Sequence, residues 1–398
     1  MDCEAEQIVF EREFAENRSA TKNMKALETM NGQWIGDYAG MSSGALLVNV
    51  DDLESHFEGV AYLRPHGNDI PPTGVGFRTV NKDREFQFVT RDFWAIHPRT
   101  GDPASWEDIK QFYPAGFSVS NQVEVSGRWD ESHLELSWRA DGGSSGTSDL
   151  PRSRATQPSG LQALPMGWGE FKAYVAALAG KRHLFRGQSA PWRLRTAFHR
   201  NGRADLRRFT NVDIKVLHRR LSVRTRHMFD LSKPEENGAF FNLVQHHGYP
   251  TPLLDWTYSP YVAAFFAFRG VSKFEAAGAD SSKRVRIFVL DECWRTDVNQ
   301  LVVLDRAFPH FSIAEFIAIE NERMIPQQSV SAVTNVDDIE TYIRDMERTN
   351  GKPYLSAIDL PKCERNKVFC ELGYMGLTAG SLFPGLDGAC EELRETNF

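Results

Sequence analysis

The residues with the clearest chemical potential lie between Gln245 and Phe268, in the stretch QHHGYPTPLLDWTYSPYVAAFFAF. The pair His246-His247 leads into a Gly-x-Pro turn, and Asp255, Trp256 and Thr257 follow two leucines. A carboxylate at that point needs a partner if it is buried. Pro260 then opens an apolar run, 261–268, that holds no charged residue. Proline suits a first helical turn, and the hydroxyl of Thr257 or Ser259 can cap it. The pattern predicts a strand or loop ending at Leu254, a polar elbow over 255–259 and a buried helix behind it. An elbow on a rigid base presents polar groups at a cleft. A capped core helix with one satisfied Asp is the plainer alternative.

Two further segments carry candidates. His183-Leu184-Phe185 reads as a short strand running into Arg186-Gly187-Gln188. Arginine at a strand end binds phosphate or carboxylate bidentately, and glycine beside it lets backbone approach. Residues 317–328 read as a strand-like piece in which Glu320 and Glu322, two apart, share a face. Like carboxylates repel, so such a pair serves a charged or sugar-like ligand, or else stands solvated on an edge strand.

A chain of 398 residues is long enough for two or three domains. Residues 1–30 are charged, with Ile8, Phe10 and Phe14 spaced for one or two short helices. Over 31–140, short alternating runs at 57–63, 75–80, 85–90, 117–125 and 134–138 predict a small antiparallel barrel or sandwich. Trp34, Trp94, Trp129 and Trp138 would fill its core or a pocket. No titratable cluster suggests chemistry there, so partner contact or regulation is expected of residues 31–140. Residues 141–160 are rich in Gly, Ser and Pro and read as a linker. Residues 161–398 alternate helical and strand patterns, with helices near 168–178, 238–247, 337–346 and 362–372 and a strand at 285–290. The whole is an α+β protein.

The net charge of −7 is uneven. Residues 181–226 hold fourteen Lys/Arg against Asp205 and Asp213, so the remainder carries −19. Such a segment attracts phosphates of a nucleotide or nucleic acid, or forms a basic helix face balanced by acidic neighbours. No apolar run approaches the roughly 20 residues of a membrane helix. The acidic start lacks the order of a signal peptide, so a cytoplasmic location is expected. The five cysteines are scattered without a Cys-x-x-Cys pair, which predicts neither a disulfide framework nor a metal site.

Four blocks then occur in order: Phe185-Arg186-Gly187-Gln188; His246-His247-Gly248-x-Pro250-Thr251-x-Leu253-Leu254-Asp255-Trp256-Thr257-x-Ser259-Pro260; Arg323-x-Ile325-x-Gln327-Gln328; and Leu382-Phe383-Pro384 with Asp387-Gly388. Over roughly 165–393 the chain resembles the FRG domain, named for its Phe-Arg-Gly motif. More distantly, Phe185-Arg186-Gly187, the Asp255-Trp256-Thr257 elbow and Glu320-x-Glu322 resemble the three motifs of the arginine-serine-glutamate ADP-ribosyltransferases. This implies a mixed α/β domain with an ADP-ribosyltransferase-like core and NAD as substrate.

The resemblance assigns roles residue by residue. Glu322 would face the charge that develops on the ribose, and Glu320 would position the acceptor or act as base. Arg186 would clamp the pyrophosphate, with Gly187 letting the dinucleotide close on the strand. Gln188, His247, Thr257, Arg323 and Gln328 would complete the cofactor site, and Trp256 or Tyr258 would stack on nicotinamide. Asp255 stands where that class has its first serine, so it must pair, with Arg186 or His247. In FRG sequences the recognisable residues of the third block are the Arg and Gln, which makes Arg323 and Gln328 the functional alternative to Glu322. The activity implied is ADP-ribosyl transfer to a protein or nucleic acid, in a bacterial toxin or phage-defence setting. The alternative is a nucleotide- or nucleic-acid-binding module without turnover, built around Arg186, His247 and Asp255. Hydrolysis through His246, His247 and Asp255 lacks a serine or cysteine nucleophile in any identifiable motif.

Overall fold

The computed structural model describes residues 29–114, 120–280, 282–301, 304 and 306–397. The helices expected over 1–28 lie outside these residues. The chain divides into two compact units, one of residues 1–153 with 199–209 and 305–308, the other of 154–198, 210–304 and 309–398.

The first unit is built on one ten-stranded antiparallel sheet. Its order is β5(Glu85–Thr90)-β8(Val123–Trp129)-β9(His133–Ala140)-β10(Ser145–Pro151)-β1(Gly32–Gly40)-β2(Gly44–Asp52)-β3(Phe57–Pro65)-β4(Thr73–Arg78)-β6(Phe93–Ile96)-β7(Pro103–Ala104). The expected closed barrel or two-sheet sandwich does not form, because the edge strands β5 and β7 are not paired with each other. Instead the sheet curls, and side chains join β5 to β4. Phe77 stacks on Phe88 with centroids 5.6 Å apart, and the Thr90 hydroxyl donates to the Gly76 carbonyl at 2.7 Å.

Inside the curl, Trp34, Val48, Val50, Phe57, Trp129, Leu134 and Leu150 form a buried core. They obey the period-2 alternation that put them on one face of each strand. The segment expected as a linker, 141–160, instead contributes β10, which pairs with β9 and β1. Its small polar residues alternate with Gly146, Ser148 and Leu150, all buried, and so suit a strand despite their turn-like composition. Of the strand expected at 117–125, residues 117–119 lie outside the description and β8 starts at Val123.

Residues 199–209 belong to this unit, and their charge is spent within it. Arg203 meets Asp51 at 2.6 Å, Arg207 meets Asp92 at 2.8 Å and Arg208 meets Glu58 at 2.6 Å. The buried Asp51 also accepts the backbone N–H groups of Ala204 and Asp205. In the second unit Arg193 and Arg195 pair with Asp338 and Asp337. The balanced reading of the basic segment therefore holds for five of its arginines.

The second unit is a seven-stranded mixed sheet, β11(Ala163–Pro165)-β17(Leu355–Pro361)-β14(Arg284–Leu290)-β12(Leu184–Gln188)-β13(Leu253–Thr257)-β16(Ser329–Thr334)-β15(Phe311–Ala314). Only β11–β17 is parallel. The helices that concern the site are α1(Trp168–Ala177), α2(Ile214–Leu221), α3(Pro234–His246), α4(Pro260–Arg269), α5(Ile339–Asn350), α6(Arg365–Tyr374) and α7(Leu386–Asn397). The predicted helix behind the elbow is α4. Pro260 occupies its first turn and the Ser259 hydroxyl, not that of Thr257, caps it by accepting from the Val262 N–H at 3.2 Å. Its Val262, Ala263, Ala264, Phe265, Ala267 and Phe268 are all buried, in one core with Trp168, Phe171, Phe185 and Ile287. The elbow itself is shorter than expected, since Asp255, Trp256 and Thr257 belong to β13.

Helix α4 lies so close to β12 that a Cβ on Gly187 would sit 1.9 Å from the Ala263 carbonyl oxygen and 2.6 Å from the Ala267 nitrogen. Both obstacles are backbone, so they cannot rotate away. Gly187→Ala is expected to cost at least about 1–3 kcal/mol of stability, read as a lower urea midpoint at unchanged m-value.

Candidate functional site

Strand β12 pairs with β14 through five residue pairs, Leu184 to Gln188, but with β13 only at Phe185–Thr257. The two strands part beyond that pair, and a cavity of 330 Å³ lies among the residues around the split. Arg186 stands in the divergence. Its Nη1 donates to the Asp255 carbonyl at 2.5 Å, which bridges the strands where the ladder has stopped. The wall is completed by Gln245 and His246 from the end of α3, by Asn321, Arg323, Met324 and Gln327, and by the rings of Phe266 and Phe383.

Asp255 is exposed to the cavity, and its carboxylate accepts from the Gln245 side-chain amide at 2.5 Å. Gln245 is itself held by the Thr251 hydroxyl. The expected partners of this carboxylate are thus replaced: Arg186 binds the backbone of Asp255, and His247 is exposed and outside the cavity wall. His247 stacks on His246 with centroids 4.7 Å apart. His246, not His247, lines the cavity.

The third block does not form a strand. Residues 315–328 run as a succession of turns between β15 and β16, with Glu320 and Gln328 at positive φ (55° and 45°). Glu320 and Glu322 therefore do not share a strand face, and both are exposed and away from the cavity wall. The Glu320 carboxylate accepts from the His227 N–H at 2.6 Å, which ties down its own turn. Gln328 lies outside the wall and serves through its backbone, accepting from the Tyr258 N–H at 3.1 Å. Its neighbour Gln327 lines the cavity, with its amide donating to the Leu382 carbonyl at 2.9 Å and its own carbonyl accepting the Thr257 hydroxyl at 2.7 Å.

Arg323 lies over the Phe383 ring, 5.0 Å from its centroid. This contact brings the third and fourth sequence blocks together. Burial pulls the Arg323 guanidinium below its ordinary pKa, opposed by Asp387. Its Nε is buried without a hydrogen-bond partner among the described residues. Such an atom is unusual, because buried polar groups are nearly always paired.

Other expected roles shift. Trp256 is 2% exposed and its ring packs edge-on to Phe311 in the core, centroids 6.3 Å apart, so its face is not available for stacking. The close approach that Gly187 permits is taken up by α4. Gln188 donates to the Trp192 carbonyl at 3.0 Å and does not line the cavity. Sequence reasoning passed over Gln245, Asn321, Gln327 and Phe383 as site residues. The last two stood in the matching blocks, while Gln245 and Asn321 gave no local signal.

Among the described residues no group of three or more His, Cys, Asp or Glu is arranged to hold a metal ion. His246 is pulled down to about pKa 4, by burial first and then by the charges of Arg323 and His247, against a hydrogen bond with Asn321. The unfolded chain therefore binds this proton more readily, and the stability His246 contributes is present above its unfolded pKa of about 6.5 and lost as pH falls toward 4. Urea midpoints should accordingly fall more between neutral pH and about pH 5 in the wild type than in His246→Gln.

No helix among the described residues is long and apolar enough to cross a membrane. No curated protein and no solved structure matches the chain. A family model does match over residues 181–276, a span from just before β12 to just past α4 that holds the Arg186 strand, His246 and Asp255. That model is the FRG domain, and the match is confined to these residues.

Proposed function

We propose that the cavity of the FRG domain binds the phosphate-bearing part of a nucleotide of the NAD class and carries out ADP-ribosyl transfer to a macromolecular acceptor. One observation carries this reading: Arg186 and Arg323 line a single cavity in which Asp255 is the only carboxylate among the described wall residues. Two guanidinium groups in a partly buried site suit a pyrophosphate, which they can neutralise and hydrogen-bond. Phe266 and Phe383 offer ring surface for a base or nicotinamide.

In transfer, the bond between nicotinamide and ribose C1′ breaks and neutral nicotinamide leaves with the bonding electrons. The sugar then carries positive charge until an acceptor atom bonds to C1′ and releases its proton. A carboxylate facing that charge stabilises the transition state more than the ground state. Asp255 takes this role in our reading. Gln245 orients its carboxylate, and neutral His246 adds no competing positive charge.

A second reading, binding without turnover, is favoured by the exposure of Glu320 and Glu322. Nicotinamide release from NAD by the full chain, with and without cell lysate, separates the two. Arg186→Ala and Arg323→Ala are each expected to weaken nucleotide binding about 10–100-fold. Asp255→Asn is expected to lower release about 10²–10³-fold while binding persists, and Glu322→Gln to leave it unchanged. Nucleotide binding without release under any condition would favour the second reading, and no nucleotide binding would remove both.

A further inference from the structure

The first unit contains a feature independent of the FRG domain. Its sheet interior is filled at one end and hollow at the other. Trp34, Phe57, Trp129 and Leu134 pack one end solid. Toward the other ends of the same strands the inward positions line a cavity of 730 Å³. Inward residues follow one another at i, i+2 along the sheet, as with Ala61 and Leu63, Thr73 and Val75, or Leu136 and Trp138. Tyr38 and Trp138 meet edge-to-face at 5.6 Å, between the filled and hollow parts.

This volume is no packing defect, since protein interiors hold few voids larger than a water molecule. It lies within the range of built small-molecule pockets, which are apolar with a few placed polar groups. None of its described lining residues is charged. The few polar groups include the Tyr38 hydroxyl, whose pKa is raised by burial and which lies 3.4 Å from Ser42 Oγ.

We propose that the curled sheet is a calyx that binds an uncharged, largely apolar small molecule carrying one or two hydrogen-bond acceptors. An ionised ligand is selected against, because no lining cation or anion would compensate its desolvation. The apolar body would be enclosed by Leu63, Val125, Leu136, Phe93 and Trp138, and the Tyr38 hydroxyl would meet the acceptor.

The test uses the full chain with the uncharged fluorophore N-phenyl-1-naphthylamine, whose emission rises in apolar surroundings. Saturable binding of one probe per chain is expected, with energy transfer from tryptophan. Filling the cavity by Ala61→Phe or Ala95→Phe should weaken binding at least about tenfold without lowering the melting temperature. The methyl ester of cis-parinaric acid should compete at least about tenfold better than the free acid. Absence of saturable binding, binding indifferent to folded filled variants, or equal competition by acid and ester would overturn the proposal. Should both filled variants fail to fold, the tryptophan-to-probe transfer decides. Its reduction in Trp138→Phe supports the calyx, and unchanged transfer there overturns it.

Discussion

The contact between α4 and β12 at Gly187 is the constraint on which the second unit depends. A glycine there lets the Ala263–Ala267 face of the helix rest on strand backbone. No other residue type fits that gap, and the helix could not otherwise start where Ser259 caps it. Because α4 follows β13 after two residues, its position also fixes where β13 must end. Strand β12 is then held by β14 on one side and by helix above, and it meets β13 at a single pair. The cavity is a consequence of this arrangement.

A split between strands leaves backbone groups to be satisfied in a low-dielectric place. Arg186 answers that need by donating to the Asp255 carbonyl, and the same act aims its charge at the cavity. Structure and function thus draw on one residue. The loop from 315 to 328 works similarly. Its turns hold Glu320 and Gln328 at positive φ, a conformation rarely adopted outside glycine, and these turns carry Asn321, Arg323 and Gln327 to the wall. Strain of this kind persists only where surrounding contacts enforce it, and Thr257, Tyr258 and Leu382 supply them here.

Charge shows how context redirects a sequence signal. The basic density of 181–226 looked like an anion-binding face, yet five of its arginines lie against Asp51, Glu58, Asp92, Asp337 and Asp338. Those acids are remote in sequence, so no window of the chain could reveal the pairing. Arg186 is the member of the segment that reaches the cavity wall.

What the sequence determined by itself was local. The period-2 runs located β3, β4, β5, β8 and β9, Pro260 with Ser259 located α4, and Phe185-Arg186-Gly187 pointed to the domain, because each rests on neighbours in the chain. The carboxylate assignment was not local. Glu320-x-Glu322 has a strand's spacing, but a positive φ at Glu320 and the turns that follow over 322–328 leave both acids exposed away from the cavity, and only the folded loop reveals this. The linker reading of 141–160 failed for a related reason, since β10 draws its stability from partners on β1 and β9 rather than from its own composition. Which histidine faces the cavity, which amide holds Asp255, and whether the β-rich unit closes into a barrel were all decided by long-range packing. Such contacts join residues tens to hundreds of positions apart, and pattern along the chain does not encode them.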